Sequence, residues 1–185
     1  RQAACGRQRS LHPSPSTAAS PTHGTAKHHG LAREAFEVVI VDDGSSHAES
    51  VRIVNALATA GHRILRTRNH GLAAARNTGI TASSGRYILT LDADNRILPG
   101  FVQAAVAILE EHQDIGVVHP DWREFGGRTG IVRVQPFSIV QTVWGNYIDA
   151  CALFRRSTWA DAGGYNPSMK AWEDWEFWIR VHRHG

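Results

Sequence analysis

Short apolar runs alternate with stretches of helical period from residue 36 onwards. The runs are rich in β-branched and aromatic residues, as expected for strands buried on both faces. The predicted strands are Phe36 to Val41, Arg63 to Thr67, Tyr87 to Leu91, Ile115 to His119 and Ile148 to Phe154, with a β-hairpin over residues 121–135. The predicted helices run from about Ser46 to Ala60, Leu72 to Thr81, Phe101 to Leu109, Ser157 to Ala162 and Trp172 to His184. This alternation predicts an α/β domain with a mostly parallel sheet and flanking helices.

Acidic residues stand at the ends of two predicted strands. Asp42 and Asp43 follow the first strand, and Asp92 and Asp94 follow the third. Because open α/β sheets bind ligands at the carboxyl ends of their strands, we expect these acids to line one ligand site. Carboxylates suit Mg²⁺ or Mn²⁺ when the cation also binds substrate phosphates. The simpler alternative is that Asp92 and Asp94 are turn residues that cap the helix after Pro99.

Composition and charge narrow the class of protein. The chain of 185 residues is 42% hydrophobic and has six Trp, which suits one domain with a sizeable core. Residues 1–33 hold five Lys or Arg and no Asp or Glu, so the net charge of +3 does not indicate a nucleic-acid-binding domain. Cys5 and Cys151 form neither a disulfide framework nor a metal-ligand spacing. No apolar run reaches the ~18 residues of a membrane span. We expect a cytoplasmic protein, with peripheral membrane contact left open.

The chain divides into two segments of different character. Residues 1–33 are rich in Ser, Pro, Ala, Gly and His and show no periodicity, which predicts a disordered, low-complexity segment. Residues 34–185 carry the periodic pattern and therefore form the predicted globular domain.

Four stretches, in this order, resemble glycosyltransferase family 2, whose members have the GT-A fold. They are VIVDDGSS at 39–46, NHGLAAARNTGI at 69–80, GRYILTLDAD at 85–94 and WEDWEFW at 172–178. The resemblance covers the chain from about residue 36 to its end. It implies an inverting, metal-dependent transfer of sugar from a nucleotide-diphosphate donor, with a UDP-sugar favoured. The implied cofactor is Mn²⁺ or Mg²⁺, and the implied acceptor is a hydroxyl group on a saccharide, a lipid-linked molecule or a protein.

The resemblance also implies roles for individual residues. The implied donor-site residues are Asp42, Asp43, Ser45, Arg76, Asn77 and Asp92. Asp43 matches the family's contact to the nucleotide base. Asp94 matches the metal ligand, with Asp92 beside it near the ribose and the metal. Asp174 matches the general base, with Glu173 as the next candidate.

Residues 1–35 contain nothing that matches the family's usual first strand, turn and helix, and the chain ends soon after the WEDWEFW stretch. We therefore expect a truncated domain. One alternative function is a catalytically inactive remnant that binds sugar nucleotides. Another is a nucleotidyltransferase, although the chain lacks the Gly-rich phosphate loop that such an enzyme has near its first strand.

Aromatic residues and one histidine have both structural and functional interpretations. Trp172, Trp175 and Ile179 follow helical spacing, so we expect core packing for most of the tryptophans rather than stacking on a sugar. His119 follows a predicted strand, and we expect a hydrogen-bonded structural histidine rather than a metal ligand.

Overall fold

A computed structural model describes residues 36–127 and 129–184, the latter range without the side chain of His184. The predicted disordered segment, residues 1–33, lies outside the described residues. Among the helices that are described, none combines the length and the apolar character needed to cross a membrane.

The order of strands and helices agrees with the prediction. The strands are β1 Val39–Asp43, β2 Arg63–Thr67, β3 Tyr87–Leu89, β4 Val117–Val118, β5 Trp122–Glu124, β6 Gly130–Val132 and β7 Leu153–Arg155. The helices are α1 Ala48–Thr59, α2 Leu72–Ala82, α3 Phe101–Glu111, α4 Ile139–Trp144, α5 Arg156–Asp161 and α6 Glu173–His184. The short helix α4 has no counterpart in the prediction. The α/β class is confirmed.

Strand pairing is more mixed than the predicted, mostly parallel sheet. Strands β1 and β2 pair in parallel, with Val39 opposite Arg63. Strand β7 lies between β3 and β4 and runs antiparallel to both, and β5 and β6 form the predicted hairpin. The reason is that the chain leaves β4 through the hairpin and α4 before β7 returns between two earlier strands. The apolar pattern of β7 reports its burial but not its direction.

Aromatic packing fixes α6 against the sheet. Phe177 and Trp178 are buried and pack on Phe154 of β7, with ring centroids 5.7 and 5.9 Å from the Phe154 ring. Burying an aromatic side chain of this size stabilises a fold by about 1.5–3 kcal/mol. The expected core role is therefore confirmed for Trp178. It is wrong for Trp172, which is 62% exposed. The packed face holds the acidic first turn of α6 in a defined place.

The turn after β1 contains Gly44, which lies against the loop before α2. Gly44 has φ +81°, and a Cβ atom there would lie 2.8 Å from the backbone nitrogen of Asn69. Glycine is the residue that tolerates both this backbone conformation and this close approach. The end of β1 is thus in contact with the loop at residues 69–71, which leads into α2.

Candidate active site

The side chain of Asp43 binds the loop at residues 69–71 to the end of β1. Its carboxylate accepts hydrogen bonds from Thr67 Oγ1 at 2.8 Å and from the backbone nitrogens of His70 at 3.1 Å and Gly71 at 2.8 Å. Burial acts to raise the pKa of Asp43, but these hydrogen bonds outweigh it and the pKa lies below its usual value. Asp43 is therefore ionised and positions the loop. Its contact with a nucleotide base stays a prediction.

Asp42 points to the other side of the same strand end. Its Oδ1 accepts a hydrogen bond from the backbone nitrogen of Ser45 at 3.0 Å, and Arg66 Nε lies 3.9 Å from its Oδ2. Hydrogen bonding by Ser45 and the charge of Arg66 lower the pKa of Asp42. The Asp-Asp pair is therefore split between two sets of donors, which removes the need for a cation between the two acids.

Arg76 joins three of the four motif stretches. Ala73 and Ala75 are buried, and their small side chains let α2 pack close to its neighbours. The Arg76 side chain is only 6% exposed. Its Nη1 donates to Glu173 Oε1 at 2.5 Å and its Nη2 to Asp92 Oδ1 at 2.8 Å. Arg76 therefore links the acidic end after β3 to the first turn of α6.

The Arg76 guanidinium remains charged in this buried position. Burial acts to lower the pKa of Arg76, but the hydrogen bond to Asp92 and the charges of Asp92 and Glu173 raise it above its usual value. The guanidinium also lies 5.5 Å from the ring centroid of Tyr165. The guanidinium and the two carboxylates therefore depend on one another, because removing one partner leaves an uncompensated buried charge.

Asn77, the next residue of α2, forms structural hydrogen bonds. Its Oδ1 accepts hydrogen bonds from Trp159 Nε1 at 3.0 Å and from the Tyr165 nitrogen at 2.8 Å. Its Nδ2 donates to the Tyr165 carbonyl at 2.7 Å. The structure thus gives Asn77 a role in holding the loop before α6, and the donor contact implied by the resemblance stays a prediction.

Asp92 and Asp94 do not cap the helix that follows them. Helix α3 is preceded by Gly100 at its N-cap, so the capping part of the alternative is wrong. The two acids do frame a turn, in which the Asn95 nitrogen donates to the Asp92 carbonyl at 3.0 Å. Asp92 pairs with Arg76, whereas Asp94 is exposed and lines an open cleft of about 670 Å³. The cleft is lined by Asp94, Asn95, Trp122, Arg123, Glu124, Phe125, Gly127 and Asp149.

The carboxylates suit a metal that is shared with a substrate. Within residues 36–127 and 129–184, no three His, Cys, Asp or Glu side chains are grouped as a metal site. Mg²⁺ and Mn²⁺ are commonly held by one or two carboxylates together with substrate phosphates. An exposed Asp94, with Asp92 two residues before it, has the donor atoms for that arrangement.

Asp174 and Glu173 lie side by side but have different environments. Glu173 is 7% exposed and is paired with Arg76. Asp174 is half-buried, and its Oδ2 accepts a hydrogen bond from Asn146 Nδ2 at 3.0 Å. Asn146 therefore orients the carboxylate of Asp174, while Glu173 is committed to the buried ion pair. Of the two candidates, Asp174 is the better placed to take a proton.

Asp149 is a site residue that the sequence reasoning missed. It lines the cleft together with Asp94, and its Oδ1 accepts a hydrogen bond from the Cys151 nitrogen at 2.7 Å. Burial raises the pKa of Asp149, and the charges of Asp92 and Asp174 raise it further. The available signal was an acid inside the apolar run predicted as a strand from Ile148 to Phe154.

His119 is buried without the expected hydrogen bonds. Its side chain is 1% exposed, and neither ring nitrogen has a partner among the described residues. Burial lowers the pKa of His119 to about 4, which the charge of Asp121 opposes only in part. The imidazole is therefore neutral at pH 7.

This burial predicts an acid-sensitive contribution to stability. The unfolded chain binds the proton below about pH 6.5 and the folded chain only near pH 4, so stability falls as the pH drops through that window. The loss approaches about 3 kcal/mol. The free energy of unfolding, measured with urea from pH 7 to pH 4, should fall less steeply for His119→Leu than for the parent. The carboxylates titrate in both proteins, so the difference in slope reports His119. Equal slopes would show that the pKa of His119 is not lowered by burial.

The geometry agrees with comparisons to known proteins. The family model described as Glycosyl transferase family 2 matches residues 26–160, and the chain belongs to this family. A PGL/p-HBAD biosynthesis glycosyltransferase of Mycobacterium bovis (strain BCG / Pasteur 1173P2) is 31% identical over 152 residues. That match covers 78% of this chain and 57% of the relative. The chain thus spans little more than half the length of this relative.

A second relative and a solved structure extend the comparison. An undecaprenyl-phosphate 4-deoxy-4-formamido-L-arabinose transferase of Yersinia pestis (strain Pestoides F) is 36% identical over 89 residues, which cover 46% of this chain and 27% of the relative. The crystal structure of S. aureus TarS 1-349 in complex with UDP superposes with a TM-score of 0.66 at 20% identity. It covers 82% of this chain and 47% of that one. The shared architecture confirms the expected GT-A fold.

Proposed function

We propose that the chain is the catalytic part of a metal-dependent, inverting glycosyltransferase that uses a nucleotide-diphosphate sugar, preferably a UDP-sugar. The observation that carries the proposal is the buried contact of Arg76 with Asp92 and Glu173. It brings the acidic strand end on the donor side next to the acidic helix start on the acceptor side. The names of the relatives support glycosyl transfer, and the UDP complex of TarS supports a UDP donor.

The donor half of the site would use the acids after β3. Asp94, with the second oxygen of Asp92, has the ligands to hold a divalent cation on the donor diphosphate. Such a cation supplies Lewis-acid stabilisation of the departing diphosphate. The cleft beside Asp94 gives the transferred sugar a place next to these groups. Asp43 shapes the same end of the sheet by fixing the loop before α2.

The acceptor half would use Asp174. Its carboxylate takes the proton of the acceptor hydroxyl while the hydroxyl oxygen attacks the anomeric carbon. The C–O bond to the nucleotide diphosphate breaks on the opposite face of the sugar, so the configuration inverts. The first turn of α6 favours a negative charge through the helix dipole, and Asn146 holds the carboxylate in one orientation.

Asp94→Ala is expected to abolish the Mn²⁺-dependent part of UDP binding. The change removes the exposed carboxylate that would bridge the cation and the diphosphate. Calorimetry with UDP, in Mn²⁺ and in EDTA, measures the effect. Asp114→Ala, which changes another exposed aspartate, is the matched control and should bind as the parent does. Equal affinity of the Asp94→Ala variant and the parent in Mn²⁺ would remove Asp94 as a metal ligand.

A further inference from the structure

Asp149 lies opposite the turn that follows β3. Strand β7 pairs antiparallel with β3, and Leu153 stands opposite Leu89. Continued past the paired residues, this register brings Asp149 opposite the residue between the two acids that follow β3. A hydrogen bond from Thr90 Oγ1 to the Ala150 carbonyl, at 2.6 Å, holds the two segments together beyond the paired residues. The strand pairing therefore brings a third acid to the end of β3.

Trp122 lies on the other side of Asp149. Strand β7 also pairs antiparallel with β4, where Val118 stands opposite Leu153. Continued in the same direction, this second register brings Trp122 opposite Asp149. The cleft agrees with both registers, because Asp94, Trp122 and Asp149 all line it. Asp149 therefore lies between the proposed metal ligand and an indole ring.

The carboxylate of Asp149 has hydrogen-bonding capacity left for a ligand. Its Oδ1 accepts a hydrogen bond from the Cys151 nitrogen at 2.7 Å, and an ionised carboxylate can accept about four. Burial raises the pKa of Asp149, and the charges of Asp92 and Asp174 add to the increase. Asp149 thus lies within electrostatic range of both the donor half and the acceptor half of the site. A sugar that passes from one half to the other has to be held in this region.

The cleft around Asp149 favours a neutral sugar that carries hydroxyl groups. Besides Asp94, the carboxylates of Glu124 and Asp149 bring two negative charges to the cleft, and Arg123 brings one positive charge. A carboxylate on the sugar would lie beside like charges, which disfavours its binding. A hydroxyl group instead donates a hydrogen bond to a carboxylate, and hydrogen bonds to charged groups are the stronger kind. The apolar C–H faces of a pyranose ring suit the indole of Trp122.

We propose that Asp149 selects the transferred sugar, because its carboxylate accepts a hydrogen bond from one hydroxyl group of a neutral pyranose whose ring packs against Trp122. The inference rests on the proposed function, since it takes the cleft beside Asp94 as the place of the donor sugar. Asp149 binds and positions the sugar, and proton transfer stays with Asp174. This role explains why a carboxylate stands inside the apolar run before β7, where a charge without a ligand is costly.

A cycle of donor analogues and variants tests this role. Calorimetry in Mn²⁺, without an acceptor, gives the affinities of UDP, UDP-glucose, UDP-galactose, UDP-N-acetylglucosamine and UDP-glucuronate. For the sugar that binds best, analogues that each lack one hydroxyl group are measured with the parent and with Asp149→Ala. In the parent, one analogue should bind at least about tenfold more weakly than the full sugar nucleotide. In Asp149→Ala the same analogue should lose less than about threefold, because the partner of the hydroxyl group is gone.

Three further variants separate recognition of the sugar from a structural role. Asp149→Asn keeps the size of the side chain and the hydrogen bond from Cys151, so it should fold. It should bind the full sugar nucleotide at least about threefold more weakly than the parent, with UDP bound as before. Trp122→Leu should weaken all the sugar nucleotides by a similar factor and keep the discrimination between hydroxyl groups. Asp114→Ala, on an exposed position, should behave as the parent does.

Three results would overturn the assignment of Asp149. They are equal losses for every analogue in the parent and in Asp149→Ala, parental affinity of Asp149→Asn for the sugar nucleotide, and UDP-glucuronate bound as tightly as UDP-glucose. The proposed function has its own readout, which is the affinity of the parent for UDP in Mn²⁺. If the parent does not bind UDP, the proposed function fails and the assignment with it. If UDP binds and the cycle shows no coupling, only the assignment fails.

Discussion

Asp174→Asn is expected to reduce sugar transfer at least about a hundredfold while UDP affinity stays near the parental value. The amide keeps the size of the side chain and its hydrogen bonding but cannot accept the acceptor's proton. Loss of a general base typically costs 10²- to 10⁴-fold in rate, or roughly 3–5 kcal/mol of barrier. Binding of the nucleotide rests on other residues and should survive. Steady-state kinetics of transfer, together with calorimetry of UDP binding, measures both quantities.

Two variants control for this result. Asp161→Asn changes an exposed aspartate of α5 and should transfer at the parental rate. Glu173→Gln should lower stability, because it weakens the ion pair with Arg76. Transfer by Asp174→Asn within a few-fold of the parent would remove Asp174 as the base and make Glu173 the next candidate. Loss of both folding and UDP binding would show that Asp174 is structural.

Arg76→Met should destabilise the domain by about 3–5 kcal/mol. Methionine fills a similar volume but leaves the buried Glu173 and the partly buried Asp92 without their cation. Urea unfolding at pH 7 measures the loss of unfolding free energy. Arg52→Met is the matched control, because Arg52 forms an exposed pair with Glu49, and such surface pairs contribute little. A change at Arg76 no larger than the change at Arg52 would show that the buried contact is energetically unimportant.

The strands, most helices and the acidic strand ends could be predicted from sequence because each has a local signal. The run Arg63–Thr67 matches β2, and Gly126 and Gly127 lie in the turn between β5 and β6. Burial and turn chemistry set these features within a few residues. That Asp42, Asp43, Asp92 and Asp94 line one ligand site stays a prediction.

The contacts within the site could not be predicted because they join distant parts of the chain. Arg76 and Glu173 are 97 residues apart, and no spacing rule links them. Asn77 lies in a motif but serves the loop at Tyr165, and Asp149 lies in no motif but lines the cleft. The helical spacing of Trp172 predicted core packing, which is wrong because Trp172 lies just before α6 and is exposed.

The most direct test is release of UDP from a panel of UDP-sugars by the parent chain, with Mn²⁺ and with EDTA. Transfer to water or to an added glycoside both release UDP, so the measurement does not require the natural acceptor. The account predicts metal-dependent release from at least one UDP-sugar, lost in EDTA and reduced at least about a hundredfold in Asp174→Asn. Tight UDP binding without release from any nucleotide sugar would contradict the account and identify a binding remnant instead.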